Sequence, residues 1–416
     1  MAVTTMTLSD PKKRTLRMTL FTLIYFVEGF MLTYSSGFNA PYLRSFDLSY
    51  TQIGLAGGIA LFPFILKIFI GLLSDKVNLF NKGHRKPYIV IGLALQVTAF
   101  MFIPFINPAE QWVLYLVLLI SAALGMSTYD TTTDGFSIDT TPEEDRGLVQ
   151  GLMVGGRALS SVFAAWIFGI LSENGQWNWV FYLTAIVSVV VLIYTLFVPE
   201  EVTEQQTEKL EKGAFKSYWN WSFILFLVLG MVYPLALYSA QGMVSSYLNE
   251  GLGFNMSTVG QFVALFGIGT IFGGVIGGPM MKKIGEKASI LAALLLTAAV
   301  TFILAFTSTT WLVLIVIFVF GFCFGYYETV YMAMGMEFSD PRIAAFMFSI
   351  VMAVGNFGIA AGAPLAGALV DNQGFKPMFM VFAGIHLIAL PLVLGVFALK
   401  KPAPIVGGAE SPELEA

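Results

Sequence analysis

Six ionisable side chains stand inside stretches otherwise built of Leu, Ile, Val, Phe and Ala: Glu28, Lys67, Asp130, Asp134, Arg157 and Glu328. An ionised group near the centre of a bilayer costs about 2.5–3.5 kcal/mol on insertion scales, so each must face a partner or a watery cavity. Glu28, Ser35 and Asn39 recur at helical spacing and form a polar stripe. Ser127, Asp130, Thr131 and Asp134 do the same, which points two carboxylates one way. Two such acids repel each other, and Lys67 and Arg157 supply the opposite charge, so the first-half groups could neutralise one another. Two kinds of chemistry suit the cluster. A carboxylate in a low-dielectric medium can take up and release a proton, and a neighbouring lysine or arginine can bind an anionic group. The alternative is structural, with Lys67 and Asp134 forming a salt bridge that only sets a closed state.

The elements that carry these groups follow from composition. The chain is 57% hydrophobic and 12% charged over 416 residues, with a mean hydropathy of +0.78, whereas a soluble domain carries roughly 25% charged residues. Forty-one glycines and 38 phenylalanines suit helices that pack through small residues and turn aromatics to lipid. With about 20 apolar residues per crossing, spans are expected near 18–38, 50–73, 87–106, 112–137, 148–171 and 177–198. A polar stretch follows, then spans near 221–247, 255–281, 287–307, 311–336, 343–370 and 375–398. The expected fold class is therefore all-α integral membrane, with twelve transmembrane helices in two pseudo-symmetric six-helix bundles. The expected domains are a tail over 1–17, a bundle over 18–198, a linker over 199–220, a second bundle over 221–398 and a tail over 399–416. Apart from Lys67 and Arg157 inside the membrane and Arg44 and Lys376 outside it, the lysines and arginines fall on segments that the positive-inside rule makes cytoplasmic. Both termini are expected there, in a bacterial cytoplasmic membrane.

The halves read as a repeat. Tyr42-Leu43 followed by a capping box from Ser49 to Gln52 is matched by Tyr247-Leu248 and a box from Thr258 to Gln261. An offset of 198 residues pairs Tyr129 with Tyr327, Asp130 with Glu328, Asp139 with Glu337, Gly169 with Gly367 and Phe181 with Phe379. Runs of small residues at Gly269, Gly273, Gly277 and at Gly358, Gly362 mark close helix packing.

Between the second and third spans stands Gly71-Leu-Leu-Ser-Asp75-Lys76, then Gly83-His-Arg85-Lys86. This resembles the signature loop of the major facilitator superfamily. Phe64-Ile-Leu-Lys67, Tyr129-Asp130-Thr-Thr-Thr-Asp134 and Gly155-Gly156-Arg157 further resemble the branch of muropeptide permeases, acetyl-CoA transporters and folate-biopterin transporters. The resemblance implies alternating-access transport and shares Lys67, Asp130, Asp134 and Arg157; with Glu28 and Glu328, read from their place in apolar spans, these are the residues expected to serve substrate and proton coupling. Gating is expected at Gly71, Asp75, Arg85, Lys86, Asp139, Arg146, Glu337 and Arg342. Asn39, Tyr238, Gln241, Tyr327, Tyr331 and Asn356 are expected to line the substrate path, although the tyrosines suit packing between helices equally well. His386 is expected to be a packed histidine. The glycine-proline run Gly358 to Gly367 resembles a drug-antiporter motif, but it lies in span eleven rather than span five.

No Gly-x-x-x-x-Gly-Lys-Ser/Thr loop is present, so an ion gradient is the expected drive. The expected function is secondary transport of a small anionic or zwitterionic solute, coupled to protons or another ion, by a monomer in the lipid bilayer. An exporter of an amphiphilic molecule, and a non-transporting assembly factor of the light-harvesting type, are the alternatives. The single cysteine and two histidines give no basis for an enzyme, a cofactor or a metal site, and no basic tract points to nucleic acid.

Overall fold

The computed structural model describes residues 11–79, 83–200, 221–338 and 344–399. Among them are twelve helices long and apolar enough to cross a membrane. They are α1 (Lys13–Arg44), α2 (Tyr50–Lys76), α3 (Lys86–Phe105), α4 (Trp112–Thr140), α5 (Asp145–Glu173), α6 (Trp177–Phe197), α7 (Trp221–Gly251), α8 (Met256–Ile284), α9 (Glu286–Leu304), α10 (Thr310–Met336), α11 (Ser349–Gln373) and α12 (Phe375–Leu399). In lipid a helix satisfies its own backbone, which is why an apolar chain of this kind adopts nothing else. The first six form one bundle and the last six another. Large apolar side chains such as Phe105, Leu159, Val275 and Trp311 stay exposed on the outer faces, where acyl chains rather than water would meet them.

The repeat seen in the sequence is built into the packing. Tyr42 meets Phe181 edge-on at 4.8 Å between ring centroids, and Tyr247 meets Phe379 edge-on at 5.1 Å. Both α1 and α7 also contain a π-helical turn, at Tyr34–Phe38 and Tyr247–Gly251. The Ser49–Gln52 capping box forms as expected. Its counterpart does not begin at Thr258. The cap is Asn255, whose side chain accepts from the Thr258 N–H, so α8 starts three residues early.

Two helices depart from straight spans. α2 is interrupted at Leu61 and Leu66, with Pro63 between them, so that Lys67 opens a fresh segment, Lys67–Lys76. The Pro63 carbonyl at this break accepts from the Ser127 hydroxyl at 3.0 Å. The other departure is the α1 π-turn, which inserts a residue relative to α-helical spacing and rotates everything beyond it.

The halves converge at the end away from the chain termini, called distal below; the opposite end is called terminal. There a Cβ on Gly169 would lie 2.9 Å from the Gly260 Cα, and one on Gly54 would meet the backbone of Ala363 and Pro364. These are repeat-related contacts, α5 on α8 and α2 on α11. Toward the terminal end the same helices part. The first segment of α2 packs along α11 whereas its last segment barely touches it. Among the described residues, nothing lies within 4 Å of a Cβ built on Gly147, Gly151 or Gly155 of α5.

Candidate functional site

The embedded charges assemble where α1, α2, α4 and α5 meet. The Lys67 ammonium donates to Asp130, and the Arg157 guanidinium donates to Glu28 at 3.2 Å. The acids sit behind the bases. The Glu28 and Asp130 side chains are 5% and 9% exposed, against 38% for Arg157 and 31% for Lys67. Arg157 is the most exposed member of the four. One Glu28 oxygen is buried with no hydrogen-bond partner.

Asp134 takes a different hydrogen-bond partner. Its carboxylate accepts from the Tyr25 hydroxyl at 2.6 Å, and the Tyr25 ring lies under the Arg157 guanidinium, 5.4 Å from centroid to Cζ. Lys67 therefore pairs with Asp130, one helical turn from the Asp134 partner weighed from the sequence. The second half repeats the arrangement in outline. Glu328, matched to Asp130 by the repeat, accepts from the Tyr233 hydroxyl at 2.7 Å.

The residues expected to line a path divide. Tyr238, Gln241 and Asn356 are half-buried, and the Gln241 amide reaches the Ser36 carbonyl of the opposite half at 3.5 Å. Asn39 is a correction. It lies past the π-turn and is carried off the Glu28 stripe into the first bundle. There its Oδ1 accepts from Tyr115 at 2.6 Å and Tyr34 at 3.2 Å. Tyr327 and Tyr331 take the packing alternative that the sequence leaves open. They are buried in the second bundle, where Tyr327 stacks on Tyr233 at 4.6 Å and Tyr331 on Phe226 at 4.7 Å. His386 is fully buried beside Tyr327.

The loop motif folds into a clamp within the first half. Arg85 donates to Asp139 at 2.9 Å and to the Ser74 hydroxyl at 2.8 Å, and pairs with Asp75 at 2.5 Å. Gly71 faces Thr131 of α4, where a Cβ would find ordinary contact at 3.4 Å. Lys86 donates to the carbonyls of Leu196 and Val198 at 2.8 Å each, where α6 ends. Glu200 answers it by accepting from the backbone N–H groups of His84, Arg85 and Lys86 at 2.7–2.8 Å, at the start of α3. Gly83, at φ +117°, leaves the room this carboxylate fills. Arg146 lies in the first turns of α5; the Glu337 side chain and Arg342 lie outside the described residues.

Tyr25, Tyr233 and Glu200 escaped the sequence reading, as did the distal carboxylates. The Glu173 carboxylate accepts from the Met256 N–H at 2.6 Å, and Asp371 from the N–H groups of Tyr50 and Thr51 at 2.9 and 2.8 Å. The signal for the last two was present, because Glu173 and Asp371 stand at the same 198-residue offset.

Comparison with known proteins fits this architecture. The model of the Major Facilitator Superfamily matches residues 21–241 and 226–413. The anhydromuropeptide permease of Escherichia coli (strain K12) is 22% identical over 398 residues, covering 91% of this chain and 79% of the permease. The quinolone resistance protein NorA of Staphylococcus aureus (strain MSSA476) is 25% identical over 368 residues, covering 85% of this chain and 89% of that protein. Among solved structures, a point mutant of the nucleoside transporter NupG superposes with a TM-score of 0.79 at 14% identity, over 93% of this chain and all of NupG. Permease, resistance protein and nucleoside transporter differ in the cargo their names imply, so the fold alone leaves the solute open. With both halves of the chain covered by the family model and twelve helices in two bundles, this protein is an integral, multi-pass membrane protein and a member of the Major Facilitator Superfamily of transporters.

Proposed function

We propose that the protein is a proton-coupled symporter of a small solute carrying an anionic group, working by alternating access. One observation carries the reading: the embedded charges sort into two kinds. Lys67 and Arg157 are partly exposed, each paired with a buried acid. A cation fixed in this way keeps its geometry and can answer a carboxylate or phosphate, with the guanidinium suited to a bidentate grip. Asp134 and Glu328, by contrast, are each held by a tyrosine hydroxyl. A neutral partner lets a carboxylate gain or lose a proton without stranding a buried cation, so these two are the proton carriers. Glu28 and Asp130 keep the binding cations in place.

Tyr238, Gln241 and Asn356 line the solute's other side. The parting of the helices at the terminal end and the positive-inside pattern support a cytoplasm-facing cleft, with both termini cytoplasmic in a bacterial inner membrane. The clamp of Asp75, Arg85, Lys86 and Asp139 then stiffens the first half at its cytoplasmic end, and the protein acts as a monomer.

Proteoliposomes with an imposed pH gradient, offered carboxylates, phosphate esters and short acidic peptides, test the reading. Native protein is expected to concentrate at least one of these compounds, and Arg157→Ala is expected to lose it. Equal uptake by both proteins would sink the assignment. Export of an amphiphilic molecule is the second reading, favoured by the likeness to a quinolone resistance protein. It predicts extrusion of a lipophilic dye that Arg157→Ala leaves intact.

A further inference from the structure

We propose that Glu173 and Asp371 are a matched pair of gate residues, each holding a helix of the opposite half by its first backbone N–H groups, so that neutralising either one opens the distal end. The proposal rests on the alternating-access reading, and its test needs no solute.

The first N–H groups of a helix have no partner within it, and the helix dipole favours a negative charge there. At the start of α8 the donor is Met256, held by Glu173 at the end of α5. At the start of α2 the donors are Tyr50 and Thr51, held by Asp371 at the end of α11, which also accepts from the Thr51 hydroxyl at 2.6 Å. Each tie thus runs from one half to the other.

Small residues place both carboxylates. Gly169, one turn before Glu173, seats against Gly260, and Gly367, one turn before Asp371, seats against the backbone of Tyr50 and Thr51. A side chain at any of these positions would push the acid out of reach of its donors. Because the two ties are related by the repeat, a rigid-body motion that breaks one breaks the other, and the end opens as a unit. Once parted, donors and carboxylates alike meet water at the distal mouth, so the open state leaves no buried group unsatisfied. Glu328, Asp134 and the loop clamp lie elsewhere in the chain, so the gate can be altered without touching them.

A third tie lies between the two, where Arg44 donates to both oxygens of Glu250 at 2.9 and 3.2 Å. Its members are 29% and 34% exposed and it has no repeat partner. Glu173 and Asp371 are exposed as well, so the Arg44–Glu250 pair is a parallel tie across the same end, left in place in every variant below.

The test is a distance measurement on the full-length protein in nanodiscs. Cys323 is replaced by alanine, and spin labels are placed at Gln111→Cys and Ser308→Cys, in the distal loops of the first and second halves and away from either tie. Native protein is expected to show the short distal distance. Asp371→Asn and Glu173→Gln are each expected to shift the closed-to-open ratio by roughly tenfold toward the longer distance, while Asp371→Glu stays short. An unchanged distribution in either neutral variant overturns the proposal, as does an Asp371→Glu protein as open as Asp371→Asn. Should Asp371→Asn fail to fold, Glu173→Gln, with a single backbone donor at stake, carries the test alone.

Discussion

Tyr25 donates its hydroxyl to Asp134 at 2.6 Å while its ring lies beneath the guanidinium of Arg157. One side chain thus touches a carboxylate at its tip and a paired cation on its face. In the proposed mechanism, proton occupancy at Asp134 and solute occupancy at Arg157 are linked through this shared tyrosine. This is the shortest physical route between the two jobs proposed for the first half.

Asp134→Asn should uncouple them. The amide keeps an acceptor for Tyr25 but carries no exchangeable charge, so solute should still bind and exchange across the membrane while a pH gradient no longer concentrates it. Counterflow and gradient-driven uptake, measured on the same proteoliposomes, separate these outcomes. Loss of both in equal measure would make Asp134 a structural residue.

Arg157→Ala takes the guanidinium donor from the buried Glu28; because Arg157 is itself partly exposed, the cost falls below the about 3–5 kcal/mol of a fully buried pair. Thermal unfolding in detergent should show the loss, and uptake should fall at least about tenfold. Adding Glu28→Gln should restore most of the stability and none of the uptake. If the double variant regains transport, the pair serves packing and Arg157 binds nothing.

These residues show where sequence reading succeeds and where it stops. Helix positions follow local hydropathy, and ten of the spans fall within four residues of expectation; α11 starts six residues later, at Ser349, and α1 runs on through a π-turn to Arg44. Embedded charge is legible because burying it is costly wherever it lands. What a charge pairs with is not, since the sequence leaves Lys67 a choice between Asp130 and Asp134, and only the packing of α2 on α4 shows that it takes Asp130. Asn39 was misplaced because a regular spacing was carried through an irregular turn. Tyr327 and Tyr331 have the composition of a binding wall and the burial of a core. Glu200 was hidden in a polar stretch, and its role appears only once α3 and α6 are side by side.

Glu200→Ala should strip three backbone N–H groups at the start of α3 of their acceptor. The expected loss is about 1–3 kcal/mol, read as a lower unfolding temperature, with a smaller loss for Glu200→Gln. Solute affinity should stay as in the native protein, because the site lies deeper. A change in affinity without a change in stability would contradict this placement.

Gly260→Val should hold the distal end apart. A side chain there would meet the carbonyl of Ala165 and lie 2.8 Å from the Gly169 Cα, both backbone atoms with little freedom to move. Labelling of an introduced Ser36→Cys by a membrane-impermeant thiol reagent from the distal side should rise, and transport should fall. Unaltered labelling would mean that α5 and α8 part by bending rather than as rigid rods.

The central claim is that an anionic group and a proton cross together, and the most direct measurement follows both in one sample. Proteoliposomes carrying a lumenal pH dye, with no gradient imposed, are given each carboxylate, phosphate ester or acidic peptide in turn. The account predicts lumenal acidification with a transported compound, in proportion to its uptake, and none in Asp134→Asn or Glu328→Gln. Uptake with no lumenal pH change in native protein, or acidification that persists in both variants, would contradict it.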